Sequence, residues 1–132
     1  MVMEQHFWLG AFTAANTLLL TLLALNVSRV RIREKVSHGD GGVLELKKAI
    51  RAHGNGVEHL VVVGLQVLTL ELMKASPTVL AALVVVFTTS RILHAVSMLG
   101  ALPSLRRFSA VGTYASELGG AAAVLVALLV RA

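Results

Sequence analysis

The residues best equipped for chemistry lie in one short stretch, Arg51-Ala52-His53-Gly54-Asn55-Gly56-Val57-Glu58-His59. On a helix, Arg51, Asn55 and Glu58 fall at i, i+4 and i+7 and share one face, with His59 close beside it. A guanidinium can grip a carboxylate through two parallel hydrogen bonds. An amide donates to and accepts from a peptide group, and a carboxylate can hold an ammonium. In that order the three suit a zwitterionic ligand. The same spacing also lets Arg51 and Glu58 satisfy each other along their own helix, and spacing does not separate the two readings.

Three further features stand apart from this stretch. Arg91 lies inside an apolar run, where a guanidinium must face a protein interior, pair with a carboxylate or snorkel. Glu58 is its candidate partner; a structural ion pair and direct ligand contact both fit. His94, three residues on, is expected to line the same cavity. Arg106-Arg107 could lower the pKa of a neighbouring thiol and favour thiolate. The simpler reading of that pair is a basic membrane anchor. None of the five histidines pairs with another at i, i+3 or i, i+4, and there is no H-E-x-x-H, so no metal site is expected. Glu71, within one turn of Lys74, reads as a membrane-edge residue.

These residues need elements to hold them, and composition says what kind. The chain has 132 residues, 56% hydrophobic and 14% charged, with a mean hydropathy of +0.79. Soluble chains run nearer 45–50% apolar and about 25% charged. The excess apolar surface needs a bilayer, in which helices satisfy their own backbone groups. The length allows one compact domain over 1–132: an all-α, integral membrane four-helix bundle. The spans are expected at about 7–28, 57–73, 78–99 and 110–130, each close to the ~20 residues that cross the hydrocarbon.

The second span should continue an amphipathic helix that starts near Leu44 and projects from the membrane. Gly39-Asp40-Gly41-Gly42 is a turn by composition, and Ala101 to Ser109 reads as a loop. Pro77 suits a first helical position. Thr13, Asn16, Thr17 and Thr21 form a polar stripe expected to face another helix. The fourth span carries two small-residue series, Gly112-Ser116-Gly120 and Ala115-Gly119-Ala123-Ala127, which invite close helix packing within or between protomers.

Charge sets the orientation. The net charge is +5 and the pI about 10.5, but the cations sit in short connections between apolar runs. That pattern fits membrane topology and not nucleic-acid binding. Arg29, Arg31, Arg33, Lys35, Lys47, Lys48, Arg51, Arg106 and Arg107 gather on one side, against Lys74 and Arg131 on the other. The basic loops are therefore expected in the cytoplasm and both termini outside. Met1 to His6 lacks the basic lead-in of a secretory signal, so the first span is read as retained. With no cysteine, any thiol chemistry must come from a bound small molecule.

Four spans, a basic first loop, the run Ile50-Arg51-Ala52-His53-Gly54-Asn55-Gly56-Val57-Glu58 and an arginine late in the third span together resemble the MAPEG family, the membrane-associated proteins in eicosanoid and glutathione metabolism. The resemblance covers nearly the whole chain, is most specific in R-A-x-x-N-x-x-E, and points to a short bacterial member in the inner membrane. It implies a homotrimer with glutathione held between neighbours near the cytosolic face.

By that resemblance Arg51, Asn55 and Glu58 bind glutathione, His53 contacts it, and one of Arg29, Arg31 and Arg33 contributes. Arg106, with Arg107 next to it, activates the thiol. Two positions depart from the family pattern: His59 stands where tyrosine is frequent, and His94 replaces a tyrosine near Arg91. Both imidazoles can still donate hydrogen bonds.

The implied activity is a membrane glutathione transferase or peroxidase in detoxification, joining the glutathione thiolate to hydrophobic small molecules delivered by membrane lipid. The alternative is a non-catalytic, lipid-binding or regulatory relative. A small multidrug transporter of similar size relies on a carboxylate inside its first span, and residues 7–28 contain none.

Overall fold

The computed structural model describes residues 6–130; Met1 to Gln5, Arg131 and Ala132 lie outside them. The chain folds into four helices: α1 (Phe7–Glu34), α2 (Leu44–Leu72), α3 (Pro77–Leu99) and α4 (Pro103–Leu129). Helix α2 packs against all three others, α1 also meets α3, and α3 and α4 lie side by side. Among the described residues α1, α3 and α4 are long and apolar enough to cross a membrane. Helix α2 is as long, but Lys47, Lys48, Arg51 and Glu58 dilute its first half. It runs unbroken from the amphipathic segment into its apolar part.

Local chemistry sets the ends. Helix α1 stops where Lys35 turns left-handed, at φ 54°. Gly39, Gly41 and Gly42 then take positive φ, the conformation that favours glycine, while Asp40 Oδ1 accepts from the Gly42 N–H at 3.0 Å. Ser76 caps α3 by accepting from the Val79 N–H, with Pro77 as first helical residue. Pro103 does the same for α4. The segment read as a loop up to Ser109 is thus mostly the first turns of α4, because proline's fixed φ starts the helix there. Arg106 and Arg107 sit on a rigid element.

The outside is apolar and the inside is partly polar. Leu18, Leu22, Leu65, Val85, Leu118 and Leu125 point outwards, whereas Asn16, Arg91, His94, Ser109 and Thr113 are buried. One apolar core joins Phe12, Val63, Val67, Leu70, Leu80, Leu83, Val84 and Phe87. Of the expected polar stripe on α1, only Asn16 faces another helix, donating to Thr88 Oγ1 on α3 at 3.0 Å. Thr13, Thr17 and Thr21 are exposed on the protomer surface; Thr13 bonds the Leu9 carbonyl of its own helix. A hydroxyl can satisfy itself locally in that way, so it needs no partner helix.

The two glycine series of α4 also part company. Gly112 faces Ser90 and Gly120 faces Gln66, each so closely that a Cβ would collide with the opposing side chain. That series packs inside the protomer. Ala115, Gly119 and Ala123, together with Ser116 and Gly120 of the first series, line an outward groove against α3, of about 390 Å³. At the end remote from the basic loops, Glu71 is buried. Its Oε1 lies 2.9 Å from His6 Nδ1, so its carboxylate is paired within the protomer at that end of the bundle.

Candidate functional site

Helices α2 and α4 both start at the basic end of the bundle, so cations in their first turns meet there. Arg51 from α2 and Arg106 from α4 line the same cavity, of about 290 Å³. Lys47 and Lys48 share its wall, and the α3–α4 turn (Met98, Ala101, Leu102, Pro103) supplies an apolar floor. Among the described residues four cations and no carboxylate line it, so the field inside favours anions. Neither Arg51 nor Glu58 pairs with the other among the described residues. The self-satisfied helix network allowed by their spacing is therefore absent, and both side chains are exposed.

One turn deeper, Asn55 is committed. Arg91 Nη2 donates to Asn55 Oδ1 at 2.8 Å, and Arg91 Nη1 to Thr113 Oγ1 at 3.3 Å. Arg91 is 3% exposed, and its Nε is buried with no partner among the described residues. The expected Glu58 contact is not made; neutral groups on two helices hold the guanidinium. His94 lies one turn along α3, buried, with Nδ1 3.3 Å from Ser109 Oγ. It lies within electrostatic reach of Arg91, His59 and Arg106, so these groups form one cluster.

Deeper again, His59 meets a carboxylate that the sequence did not nominate. His59 Nδ1–H donates to Glu117 Oε1 at 2.6 Å, and the His59 ring meets Tyr114 edge-on with centroids 5.6 Å apart. Gln66 Nε2 donates to the Glu117 backbone carbonyl at 2.9 Å. A carboxylate fourteen residues into an apolar helix is costly in lipid and was itself a signal of function or pairing. Its partner, 58 residues away, could not be read from local spacing.

The remaining predicted residues are placed elsewhere. Arg29 donates to Asn26 of its own helix at 3.0 Å. Arg31 donates to the Gly39 carbonyl at 2.8 Å, holding the turn. Arg33 pairs with Glu34 and Glu45, clasping α1 to the start of α2. That hydrogen bond holds the Glu45 carboxyl below the ordinary carboxylate range, and the two carboxylates raise the Arg33 guanidinium above its usual value. None of the three, nor Arg107 or His53, lines the cavity shared by Arg51 and Arg106.

A model of the MAPEG family matches residues 9–129. The "Inner membrane protein YecN" of Escherichia coli strain K12 is 32% identical over 83 residues, 63% of this chain and 63% of that protein. The protein of the same name in Escherichia coli O6:H1 strain CFT073 matches over the same extent. These matches span less than two thirds of either partner's length. No solved structure matches the chain.

Proposed function

The chain belongs to the MAPEG family, and from that premise we propose that it is a glutathione transferase of the inner membrane, homotrimeric, with its basic loops in the cytoplasm. The observation that carries this reading is the cavity common to Arg51 and Arg106. It joins the motif helix to the helix that supplies a thiol-activating cation. The tripeptide's carboxylates suit Arg51 and its neighbours, and Glu58, exposed and unpaired among the described residues, suits its ammonium.

Arg106 would favour the thiolate, whose proton leaves to water. Sulfur then attacks an electrophilic carbon, forming the C–S bond, and the leaving group departs with the bonding pair. Charge stabilisation and proximity supply the rate. The hydrophobic electrophile arrives from the lipid.

Conjugation of glutathione to a chromogenic aryl halide by the protein in nanodiscs tests this, with thiolate absorbance followed in the ultraviolet. An Arg51→Ala protein that binds glutathione as well as wild type removes the assignment. A second reading, a non-catalytic lipid binder, draws support from the outward groove between α3 and α4. Retention of a radiolabelled fatty acid without any conjugation would favour it.

A further inference from the structure

The His59–Glu117 pair has a feature that pairing alone does not explain. In the neutral tautomer that gives Nδ1–H to Glu117 Oε1, the imidazole presents the lone pair of Nε2 and the carboxylate presents Oε2. Neither atom has a partner among the described residues, and neither is among the sealed polar atoms, which are Gln66 Oε1, Glu71 Oε2 and Arg91 Nε. Both therefore open onto the protomer surface, where the side chains are 16% and 19% exposed. They lie about 12 Å past Arg51 along α2 and about 16 Å past Arg106 along α4, at 1.5 Å per residue. Two open acceptors at that depth are costly unless donors reach them.

Two neighbouring donors are turned to other groups. Arg91, facing the pair from α3, spends Nη1 and Nη2 on Thr113 and Asn55. Gln66 spends its amide on the Glu117 carbonyl. The carboxylates of Glu58 and Glu117 both lie within electrostatic reach of Arg91.

We infer that the open face of the His59–Glu117 pair is a binding site for a primary ammonium group. Two sources carry that chemistry: the amino end of the bound tripeptide, which rests on the proposed function, and a lipid-dissolved amine, which does not. For the tripeptide, Glu117 joins Glu58 at the amino end and sets preference for a free α-amine.

Two measurements on the full-length protein in nanodiscs test this. By calorimetry, wild type should bind glutathione roughly ten- to a hundredfold tighter than N-acetylglutathione, the range of a charge-assisted hydrogen bond. Glu117→Gln should reduce that preference severalfold and leave N-acetylglutathione binding unchanged. Equal weakening of both ligands, or an undiminished preference, overturns the tripeptide assignment. In the second, n-octylamine, but not n-octanol, should shift the His59 ring nitrogens in ¹⁵N NMR, the resonance being identified through His59→Gln. No shift with octylamine overturns the site, as when a second copy of the chain covers it. If neither thiol binds, the proposed function falls and the octylamine arm decides the site alone. It does so too if Glu117→Gln does not fold, since it uses wild type.

Discussion

Arg91 reaches from α3 to Asn55 on α2, its Nη2 lying 2.8 Å from the amide oxygen, and among the described residues no carboxylate pairs with the guanidinium. A buried charge held by neutral groups depends on each of them. Asn55→Ala should therefore lower stability by about 1–3 kcal/mol, the cost of an orphaned buried donor. Arg91→Met in the same background should recover part of that loss, because the charge goes with its partner. Thermal unfolding of the single and double variants in one detergent measures both. A double variant less stable than Asn55→Ala would show that Arg91 supports the fold through other contacts.

Only one of the two adjacent arginines of α4 lines the cationic cavity. Arg106→Ala should reduce thiolate absorbance and conjugation by about two orders of magnitude, the usual loss of one preorganised charge-stabilising group. Arg107→Ala should cost clearly less. Single-turnover rates with saturating glutathione separate the two, and equal losses would move the activating role away from the cavity.

Part of this site was legible and part was not, for a physical reason. Arg51, Asn55 and Glu58 share a stripe because helix geometry fixes i, i+4 and i+7, and α2 is helical across all of them. Which groups they touch is a tertiary matter. Charge complementarity nominated Glu58 for Arg91, but Asn55 is the group within reach. Glu117 was missed because its partner is on another helix. Ala101 to Ser109 read as a loop, while Pro103 had already set the start of α4.

The clasp between Arg33 and Glu45 makes the α1–α2 connection sensitive to acid. Glu45 is held below the ordinary carboxylate range, chiefly by its hydrogen bond to Arg33. Arg33 is raised and stays cationic, so the carboxylate is the group that titrates. A depressed carboxyl contributes its stabilisation above its unfolded pKa and loses it as pH falls through the folded one. Backbone hydrogen exchange at residues 36–43, corrected for its intrinsic pH dependence, should lose protection below the ordinary carboxylate range. Glu45→Gln should remove that pH dependence and leave the turn less protected at neutral pH. Identical profiles for the two proteins would mean the clasp does not restrain the turn.

Adjacent glycines on α4 should respond oppositely to the same methyl group. Gly120 packs against the Gln66 side chain, so a Cβ there must displace it and break its hydrogen bond to the Glu117 carbonyl. Gly119 has open space around its Cα and faces the outward groove. Gly120→Ala should lower stability by about 1–2 kcal/mol, a lost buried hydrogen bond set against a gain in helix propensity. Gly119→Ala should keep or slightly raise it. Thermal midpoints of the two variants in nanodiscs decide this. If Gly119→Ala is the more damaging, the groove is filled by a packed partner, and the second glycine series makes contact between protomers.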